Sequence, residues 1–277
     1  MNELVLRPPF DRRWAGRDPF AEVAAMGGET VRHKEGRETR RCLVDGEVFY
    51  RKVHSGVGWG EIFKNLLQGR LPVVDASNEW RAIQRLGELG IPTLTPVAWG
   101  RRGLDPATRQ SFLVTRELTG TLSTAVFTAT WPASPPAHAL RVAMIRRIAA
   151  IARALHGAGI NHRDLYLCHF LLDVSAGVEQ LDPARLRFYL VDLHRAQIRR
   201  RVPRRWRVKD VASLYFSALD IGLTRRDVLR FLRAYFQQPL KTVVAEQASL
   251  LRAVEGKADK LYRRDFGRAP VFPIHAP

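Results

Sequence analysis

Residues Leu155 to Leu172 read LHGAGINHRDLYLCHFLL, and the rest of the chain is organised around this stretch. It begins where an apolar helix is predicted to end, and it contains the triplet His162-Arg163-Asp164. His169 follows five residues after the aspartate. In a chain this rich in arginine, the triplet taken alone also fits a turn whose aspartate only caps a helix.

The wider stretch resembles the catalytic loop of protein kinases, written H-R-D-L-x-x-x-N, in which the Asp accepts the proton of the attacking hydroxyl and the Asn holds magnesium. Gly159-Ile160 and Phe170 to Leu172 occupy the positions that kinases fill before and after the loop. The resemblance implies that Asp164 is the general base and that His162 is structural support. His169 replaces the Asn. Because imidazole binds magnesium poorly, His169 is expected to coordinate the metal weakly, to contact a phosphate or only to pack.

The composition indicates an anionic partner. The 277 residues carry 45 Lys and Arg against 27 Asp and Glu, a formal charge of +18. Nucleic acid, an anionic membrane surface and a polyanionic substrate all fit this charge. Two distant cysteines, Cys42 and Cys168, predict reduced thiols in a cytosolic protein, and the first residues lack the apolar core of an export signal.

Three short strands are predicted near the beginning of the chain, at 30–34, 39–44 and 47–53, with a hairpin turn at Asp45-Gly46. In a kinase, the turn between the first two strands covers the ATP phosphates. Here Glu35 to Glu38 contains only Gly36 where kinases have G-x-G-x-x-G, so Arg37 is a candidate to contact the phosphates instead.

The third predicted strand carries Lys52 where kinases place the lysine that holds the α- and β-phosphates. The alternative is a solvated strand lysine. A helix is predicted from Ser77 to about Leu89, and Glu79 on its apolar face is the candidate partner of Lys52. Residues Phe112 to Leu118 are predicted to form a strand and the link between lobes, where kinases contact adenine, so Glu117 and Leu118 are expected to bind ATP.

A second carboxylate follows the strand predicted at Arg187 to Val191. Asp192 stands where the kinase D-F-G aspartate bridges magnesium to the phosphates. Asp210 matches the aspartate with which kinases brace the catalytic loop. The short segment between Asp192 and Asp210 replaces the longer activation segment of protein kinases, which favours a small or carbohydrate acceptor over a protein.

The basic residues concentrate between Arg195 and Lys209, a segment with no acid. A kinase binds its phosphoryl acceptor in this part of the sequence, and arginine recognises phosphate and carboxylate through paired donors. The alternative is a solvated charged face. The candidate acceptor-binding residues are Arg200, Arg201, Arg204 and Arg205.

HRDLYLCHFLL, VDLHRAQIRRRVPRRWRVKD and LYFSALDIGLTRRDVLRFLRAYF are similar to sequences of the bacterial lipopolysaccharide core heptose (I) kinase family. The resemblance implies ATP and Mg²⁺ as cofactors, the first heptose of the inner core as acceptor, and a cytoplasmic enzyme peripheral to the inner membrane. A related Kdo kinase is the nearest alternative. A pseudokinase scaffold and a nucleic-acid-binding protein are alternatives from other classes, and binding to nucleic acid is not expected because it leaves the kinase order of residues unexplained.

The expected fold is α+β, a two-lobed protein-kinase-like fold with a small β-rich N-lobe and a mainly helical C-lobe. The predicted boundaries are an N-terminal extension at 1–25, the N-lobe at 26–118, the C-lobe at 119–266 and a mobile tail at 267–277. A connection at 54–76 is longer than kinases need. It carries Trp59, Ile62, Phe63, Leu66 and Leu67 at helical spacing with Lys64 and Arg70 beside them, which fits a membrane surface or a stripe packed on its own domain. The sequence leaves open whether a small acidic protein such as an acyl carrier protein docks on the basic surface.

Overall fold

The computed structural model describes residues 3–34, 36–56, 58–67 and 75–274, and the chain divides into two compact units. The first consists of Met1–Arg85, Leu94–Leu118 and Leu193–Arg195, and the second of Leu86–Thr93, Thr119–Asp192 and Ala196–Pro277. The first is built on a β-sheet and the second is mainly helical. The predicted α+β class is therefore confirmed.

The first unit contains an antiparallel six-stranded sheet with the strand order β1-β5-β6-β4-β3-β2. Its strands are β1 Glu3–Leu6, β2 Glu29–Lys34, β3 Arg37–Val44, β4 Glu47–His54, β5 Pro96–Arg102 and β6 Gln110–Arg116. Its helices are α1 Phe10–Arg13, α2 Pro19–Ala25, α3 Gly58–Leu67 and α4 Ser77–Glu88, of which the last extends into the second unit.

The three predicted strands correspond to β2, β3 and β4. Asp45 and Gly46 both have positive φ, 52° and 80°, as a tight hairpin turn between right-twisted strands requires. Of the turn predicted at 35–38, Glu35 lies outside the described residues, and the carbonyl of Gly36 accepts a hydrogen bond from the N–H of Ser55 at 3.0 Å.

The beginning of the chain, predicted to be an extension, is part of the sheet unit. Strand β1 pairs with β5, and Phe10, Trp14 and Val23 are buried in a core cluster with Phe49 and Phe112. The ring centroids of Phe10 and Phe49 lie 5.1 Å apart in an edge-on arrangement. Residues 3–25 thus supply both an edge strand and core side chains to this unit.

Helix α3 occupies much of the long connection predicted at 54–76, and residues 68–74, which include Arg70, lie outside the described residues, as does the side chain of Leu66. Ile62 is buried, whereas Trp59, Phe63 and Leu67 are 50%, 57% and 89% exposed. These three residues recur every four positions and therefore share one helix face. That face is apolar and exposed to solvent.

Among its described residues, the second unit contains six complete α-helices and five short strands. The helices are α5 Thr124–Thr128, α6 His138–Gly157, α7 Arg204–Ser217, α8 Arg225–Phe236, α9 Leu240–Glu246 and α10 Ala248–Phe266. The strands are β7 Thr121–Ser123, β8 Ile160–Asn161, β9 Phe170–Asp173, β10 Phe188–Leu190 and β11 Gln197–Ile198. They form a sheet in the order β10-β9-β7 and a pair of β11 with β8.

Helix α6 leads directly into the stretch that organises the sequence. Its buried face includes Met144, Ile148, Ala152 and Leu155, which recur at helical spacing. Helix α8 begins with a capping box in which the Thr224 hydroxyl and the Asp227 carboxylate each bond the other residue's backbone N–H. Buried Asp227 also binds the guanidinium of Arg141 from α6 at 2.7 Å.

The tail contacts this unit at Phe272, whose ring centroid lies 5.5 Å from that of Tyr215. Its predicted mobility stays a prediction, and residues 275–277 lie outside the described part of the chain. Of the helices that the structure describes, none combines the length and the apolar composition that crossing a bilayer requires.

Candidate active site

The catalytic loop is fixed to the helical unit by one buried carboxylate. Asp210 in α7 accepts hydrogen bonds from the backbone N–H groups of His162 and Arg163, both at 2.7 Å. Arg163 has a φ of 75°, a conformation that costs a non-glycine residue free energy and persists where its surroundings enforce it. Asp210 is completely buried and supplies that enforcement.

A close backbone approach also places the loop. A Cβ atom on Gly159 would lie 1.8 Å from the carbonyl oxygen of Arg199, so only glycine fits there. The N–H of Arg199 donates to the Gly159 carbonyl at 2.9 Å, and β11 pairs with β8 beside this contact. The segment that follows Asp192 is thereby joined to the strand that enters the loop.

The Asp164 carboxylate is largely buried, with 15% of its side chain exposed, and the ammonium of Lys209 lies 3.5 Å from its Oδ1. The Asp164 carbonyl accepts from the N–H of Tyr166 at 3.0 Å and from Nδ1 of His169 at 2.7 Å. Its backbone and its carboxylate are therefore held by separate partners.

His162 and His169 stack in the helical unit with ring centroids 5.7 Å apart. Burial lowers the pKa of His162, so its ring is neutral and Nε2 donates to the carbonyl of Val191 at 2.9 Å. This hydrogen bond ties the catalytic loop to the residue before Asp192.

His169 lies next to Asp192, and its side chain is 20% exposed. Its Nδ1 faces a carbonyl and must carry a proton, while Nε2 lies 3.4 Å from Oδ2 of Asp192. Burial disfavours the charged ring, but the Cys168 side chain, the Asp164 carbonyl and the Asp192 carboxylate outweigh burial and raise the pKa of His169 to about 9. A protonated imidazole has no lone pair for a metal ion, so this geometry does not favour His169 as a ligand.

Within residues 3–34, 36–56, 58–67 and 75–274, no three His, Cys, Asp or Glu side chains lie together as they do around an enclosed metal ion. Magnesium in phosphoryl-transfer sites is held by one or two carboxylates together with substrate phosphates and water. The Asp192 carboxylate is 31% exposed and Asp192 has a φ of 62°, a conformation that aspartate tolerates better than most residues. An oxygen donor displayed in this way fits magnesium.

The sheet unit holds the second group of predicted residues. Lys52 pairs with Thr39 of β3 and Leu113 of β6, in the interior of the sheet. Its ammonium lies 2.5 Å from Oε1 of Glu79, whose side chain is 1% exposed. Helix α4 also packs on the sheet through Trp80, which stacks on Trp99 of β5 with ring centroids 5.0 Å apart.

Glu117 and Leu118 end the segment Leu94–Leu118 of the sheet unit. The N–H groups of Arg116 and Glu117 donate to the carbonyls of Thr95 and Val48, at 2.9 and 3.0 Å. The Glu117 carboxylate accepts from Arg41 and from the Tyr50 hydroxyl, at 3.1 and 3.2 Å. The N–H groups of Arg116 and Glu117 are therefore occupied within the sheet unit, whereas a backbone carbonyl oxygen can accept more than one hydrogen bond.

The four arginines predicted to bind the acceptor, Arg200, Arg201, Arg204 and Arg205, are all exposed in the helical unit. Arg201, Arg204 and Arg207 line a groove of about 560 Å³ together with Ser249. One nitrogen of Arg204 bonds the hydroxyl and the carbonyl of Ser249, both at 2.9 Å. Arg199 differs from these, because its guanidinium donates to Asn161 at 2.7 Å and ties the segment to β8.

The sequence did not predict the contact between Lys209 and Asp164. Lys209 was one of eight cations in a basic segment, and nothing in that composition distinguishes it from its neighbours. The feature of the sequence that could have indicated this contact is that Lys209 directly precedes Asp210, the residue expected to brace the catalytic loop.

A sheet unit with a buried Lys–Glu pair and a helical unit with a braced His-Arg-Asp loop define the protein as a kinase-like phosphotransferase. The family model "Lipopolysaccharide kinase (Kdo/WaaP) family" matches residues 21–235. The chain belongs to this family.

Relatives are similar to the chain over nearly its whole length. The lipopolysaccharide core heptose(I) kinase WaaP of Pseudomonas aeruginosa is 52% identical over 94% of this chain and 96% of its own. WaaP of Escherichia coli is 45% identical over 94% of this chain and 97% of its own. A solved structure, WaaP in complex with acyl carrier protein, is 46% identical with a TM-score of 0.82, covering 94% of this chain and 99% of that one.

Proposed function

We propose that this protein transfers the γ-phosphoryl group of ATP to a hydroxyl of the first heptose of the lipopolysaccharide inner core. The observation that carries the proposal is the 44 to 52% identity, over 94% of the chain, to relatives named lipopolysaccharide core heptose(I) kinase. The family's name also includes Kdo, so phosphorylation of that sugar is the second candidate. The relatives' names favour heptose.

Asp164 acts as the general base. The acceptor hydroxyl oxygen forms a bond to the γ-phosphorus, the bond from this phosphorus to the β–γ bridging oxygen breaks, and its electron pair leaves with ADP. The hydroxyl proton passes to the Asp164 carboxylate. The contacts of Asp210 with the N–H groups of His162 and Arg163 hold this carboxylate in place during the reaction, because they fix the backbone of the two residues directly before Asp164.

Lys52, held by Glu79, contacts the phosphates of ATP, and Glu117 and Leu118 contact its base. Asp192 would hold Mg²⁺, which would offset the negative charge of the phosphates. His169 orients the loop by bonding the Asp164 carbonyl, and we assign it no metal contact while its ring is protonated. An intact Lys52–Glu79 pair at 2.5 Å favours an active enzyme over a pseudokinase scaffold.

The exposed arginines at 200, 201, 204 and 205 bind anionic groups of the acceptor. Arginine presents paired N–H donors that match carboxylate and phosphate oxygens. Arg201, Arg204 and Arg207 present such donors along a groove of about 560 Å³, whose lining also includes Glu246. These side chains therefore determine where an acidic oligosaccharide binds.

An acyl carrier protein is the proposed protein partner, on the strength of the solved complex of a relative 46% identical to this chain. The helical unit contains a cavity of about 260 Å³ whose lining is almost entirely apolar, including Trp131, Ile148, Leu214 and Phe231. An acyl chain suits such a lining because burial removes its apolar surface from water. Co-purification with acylated but not unacylated carrier protein, reduced by Ile148→Trp, is the expected result, and equal capture of both forms would refute the role of the cavity.

Peripheral association with the cytoplasmic face of the inner membrane is part of the same proposal. The proposed acceptor of the phosphoryl group is a membrane glycolipid. Helix α3 also presents Trp59, Phe63 and Leu67 on one exposed face. An amphipathic helix of this kind binds in the headgroup region of a bilayer rather than across it.

The proposed function is tested by phosphate transfer from γ-labelled ATP to purified lipopolysaccharide core that lacks this phosphate. Wild type should phosphorylate heptose, and Asp164→Asn should lower kcat by about 10² or more, because proton acceptance in the transition state contributes that much. ATP affinity should stay within about twofold, since Asp164 does not hold the nucleotide. Absence of labelled heptose with wild type, or label on Kdo, would refute the heptose assignment.

A further inference from the structure

The ammonium of Lys209 is a basic group that the structure places against the proposed base. Its Nζ lies 3.5 Å from Oδ1 of Asp164, and the two side chains are 21% and 15% exposed. A charge pair this sheltered is screened less by water and salt than an exposed pair. The loop itself supplies no Lys or Arg between Asp164 and His169, since these residues are Leu165, Tyr166, Leu167 and Cys168.

The position of Lys209 is set by the same turn of helix that braces the loop. Lys209 directly precedes Asp210, whose two oxygens accept from the N–H groups of His162 and Arg163. The ammonium also lies 5.9 Å from the ring centroid of Trp206, and the guanidinium of Arg163 lies 4.9 Å from the same ring. Adjacent residues of α7 therefore fix the backbone of the loop and approach its carboxylate.

Phosphoryl transfer creates an electrostatic problem at this carboxylate. The base is an anion, and the reaction brings the negatively charged γ-phosphoryl group toward the hydroxyl that the base contacts. Preorganised positive charge beside such a site lowers the barrier, because it needs no reorganisation when the reaction occurs. A lysine at 3.5 Å is placed to supply that charge and to fix the direction of the carboxylate.

We infer that Lys209 is a positioning residue for the base, which holds the Asp164 carboxylate in the orientation that receives the acceptor proton. The inference rests on the proposed function, in which Asp164 is the base. The rival explanation is that Lys209 only packs α7 against the loop, in which case its charge is dispensable and its loss lowers stability rather than kcat.

The test compares Lys209→Met, Lys209→Arg and a matched control, Lys260→Met, which removes a charge of the same kind from an exposed position of α10. Steady-state kinetics are measured with core acceptor and ATP, and thermal unfolding is measured for each variant. Lys209→Met should lower kcat roughly tenfold or more, with KM for ATP within about twofold, as expected when a reacting group is misplaced. Lys209→Arg should recover most of the loss, and the control should match wild type.

Two outcomes would overturn the inference. One is a kcat for Lys209→Met close to that of wild type. The other is an equal loss in the Met and Arg variants accompanied by an equal fall in Tm, which would assign the residue to packing.

A double variant shows whether Lys209 acts through the base. Adding Lys209→Met to Asp164→Asn should lower kcat little further, because residues that work as a unit are not additive. A full second loss would contradict action through Asp164. The series is also measured with water as acceptor, by phosphate release from ATP, so that a wrong assignment of the sugar acceptor does not conceal the effect of Lys209.

Discussion

At the scale of single residues, the sequence predicted one contact of the candidate site and missed another: Lys52 pairs with Glu79 as expected, whereas the contact of Lys209 with Asp164 was not predicted. Lys52, Glu79, Asp164, Asp192 and Asp210 occur in the order in which kinases carry the corresponding residues, and their roles stay predictions. What each side chain contacts depends on tertiary packing. The positive φ of Arg163, for example, follows from two hydrogen bonds to a residue 47 positions away. No local sequence pattern predicts a positive φ at Arg163.

One residue outside the proposed chemistry makes stability depend on pH. His54 in β4 is 2% exposed, and burial together with the nearby charge of Arg37 lowers its pKa to about 4. The unfolded chain binds this proton near pH 6.5 and the folded chain does not, so stability is complete above pH 6.5 and falls as the pH drops toward 4. The loss attributable to His54 amounts to about 3 kcal/mol at most.

Urea unfolding of wild type and His54→Phe between pH 7 and 4 measures this contribution. The wild type should lose more stability than the variant as the medium becomes acidic. His33→Phe, a change at an exposed position of β2, should behave as wild type. Parallel curves for wild type and His54→Phe would show that His54 takes up its proton equally in both states.

At the scale of elements, periodicity located the long helices and the hairpin strands. The helix predicted from Ser77 is α4, and the predicted strands at 30–53 are β2 to β4. Residues 3–25 escaped prediction because β1 is four residues long and α1 is a single turn, too short for a period to appear. Their place in the sheet depends on pairing with β5, which lies more than 90 residues later.

The arginine segment around the beginning of α7 yields a prediction about acceptor binding. Arg200→Ala with Arg201→Ala removes contacts that are similar in the ground and transition states, so KM for the acceptor should rise more than kcat falls. A rise of about tenfold or more is expected from two charge-assisted contacts. KM for ATP should not change.

The matched control is Arg225→Ala with Arg226→Ala, which removes two adjacent exposed arginines from the beginning of α8. Raising the ionic strength should weaken acceptor binding in wild type and have less effect in the Arg200 and Arg201 variant, because salt screens exposed charges. An acceptor KM that stays at the wild-type value in this variant would identify the segment as a solvated face.

At the scale of the whole molecule, a charge of +18 indicates an anionic partner without identifying it. The apolar face of α3 favours an anionic membrane surface as this partner, because Trp59 and Phe63, with ring centroids 5.7 Å apart, form an exposed aromatic pair. Sequence periodicity predicted this stripe but not which of its sides is buried. In the structure Ile62 is buried, whereas the face that carries Trp59, Phe63 and Leu67 is exposed to solvent.

We therefore expect the protein to sediment with vesicles of phosphatidylethanolamine and phosphatidylglycerol. Trp59→Ser with Phe63→Ser should lower the partition coefficient about tenfold or more, since each buried side chain contributes about 1.5 to 3 kcal/mol. Leu104→Ser, at a position 77% exposed elsewhere in the sheet unit, is the control and should bind as wild type. Equal sedimentation of all three proteins would exclude α3 as the membrane contact.

The pairing of β11 with β8 has a consequence for how the reaction is controlled. The chain between Asp192 and Asp210 is short, and Arg199 joins it to the loop by a backbone and a side-chain hydrogen bond, at 2.9 and 2.7 Å. A segment this short, attached at Arg199, differs from the long activation segments that phosphorylation reorders in protein kinases. We expect an enzyme that is permanently switched on, whose output follows the amount of enzyme made and the rate at which substrates are delivered.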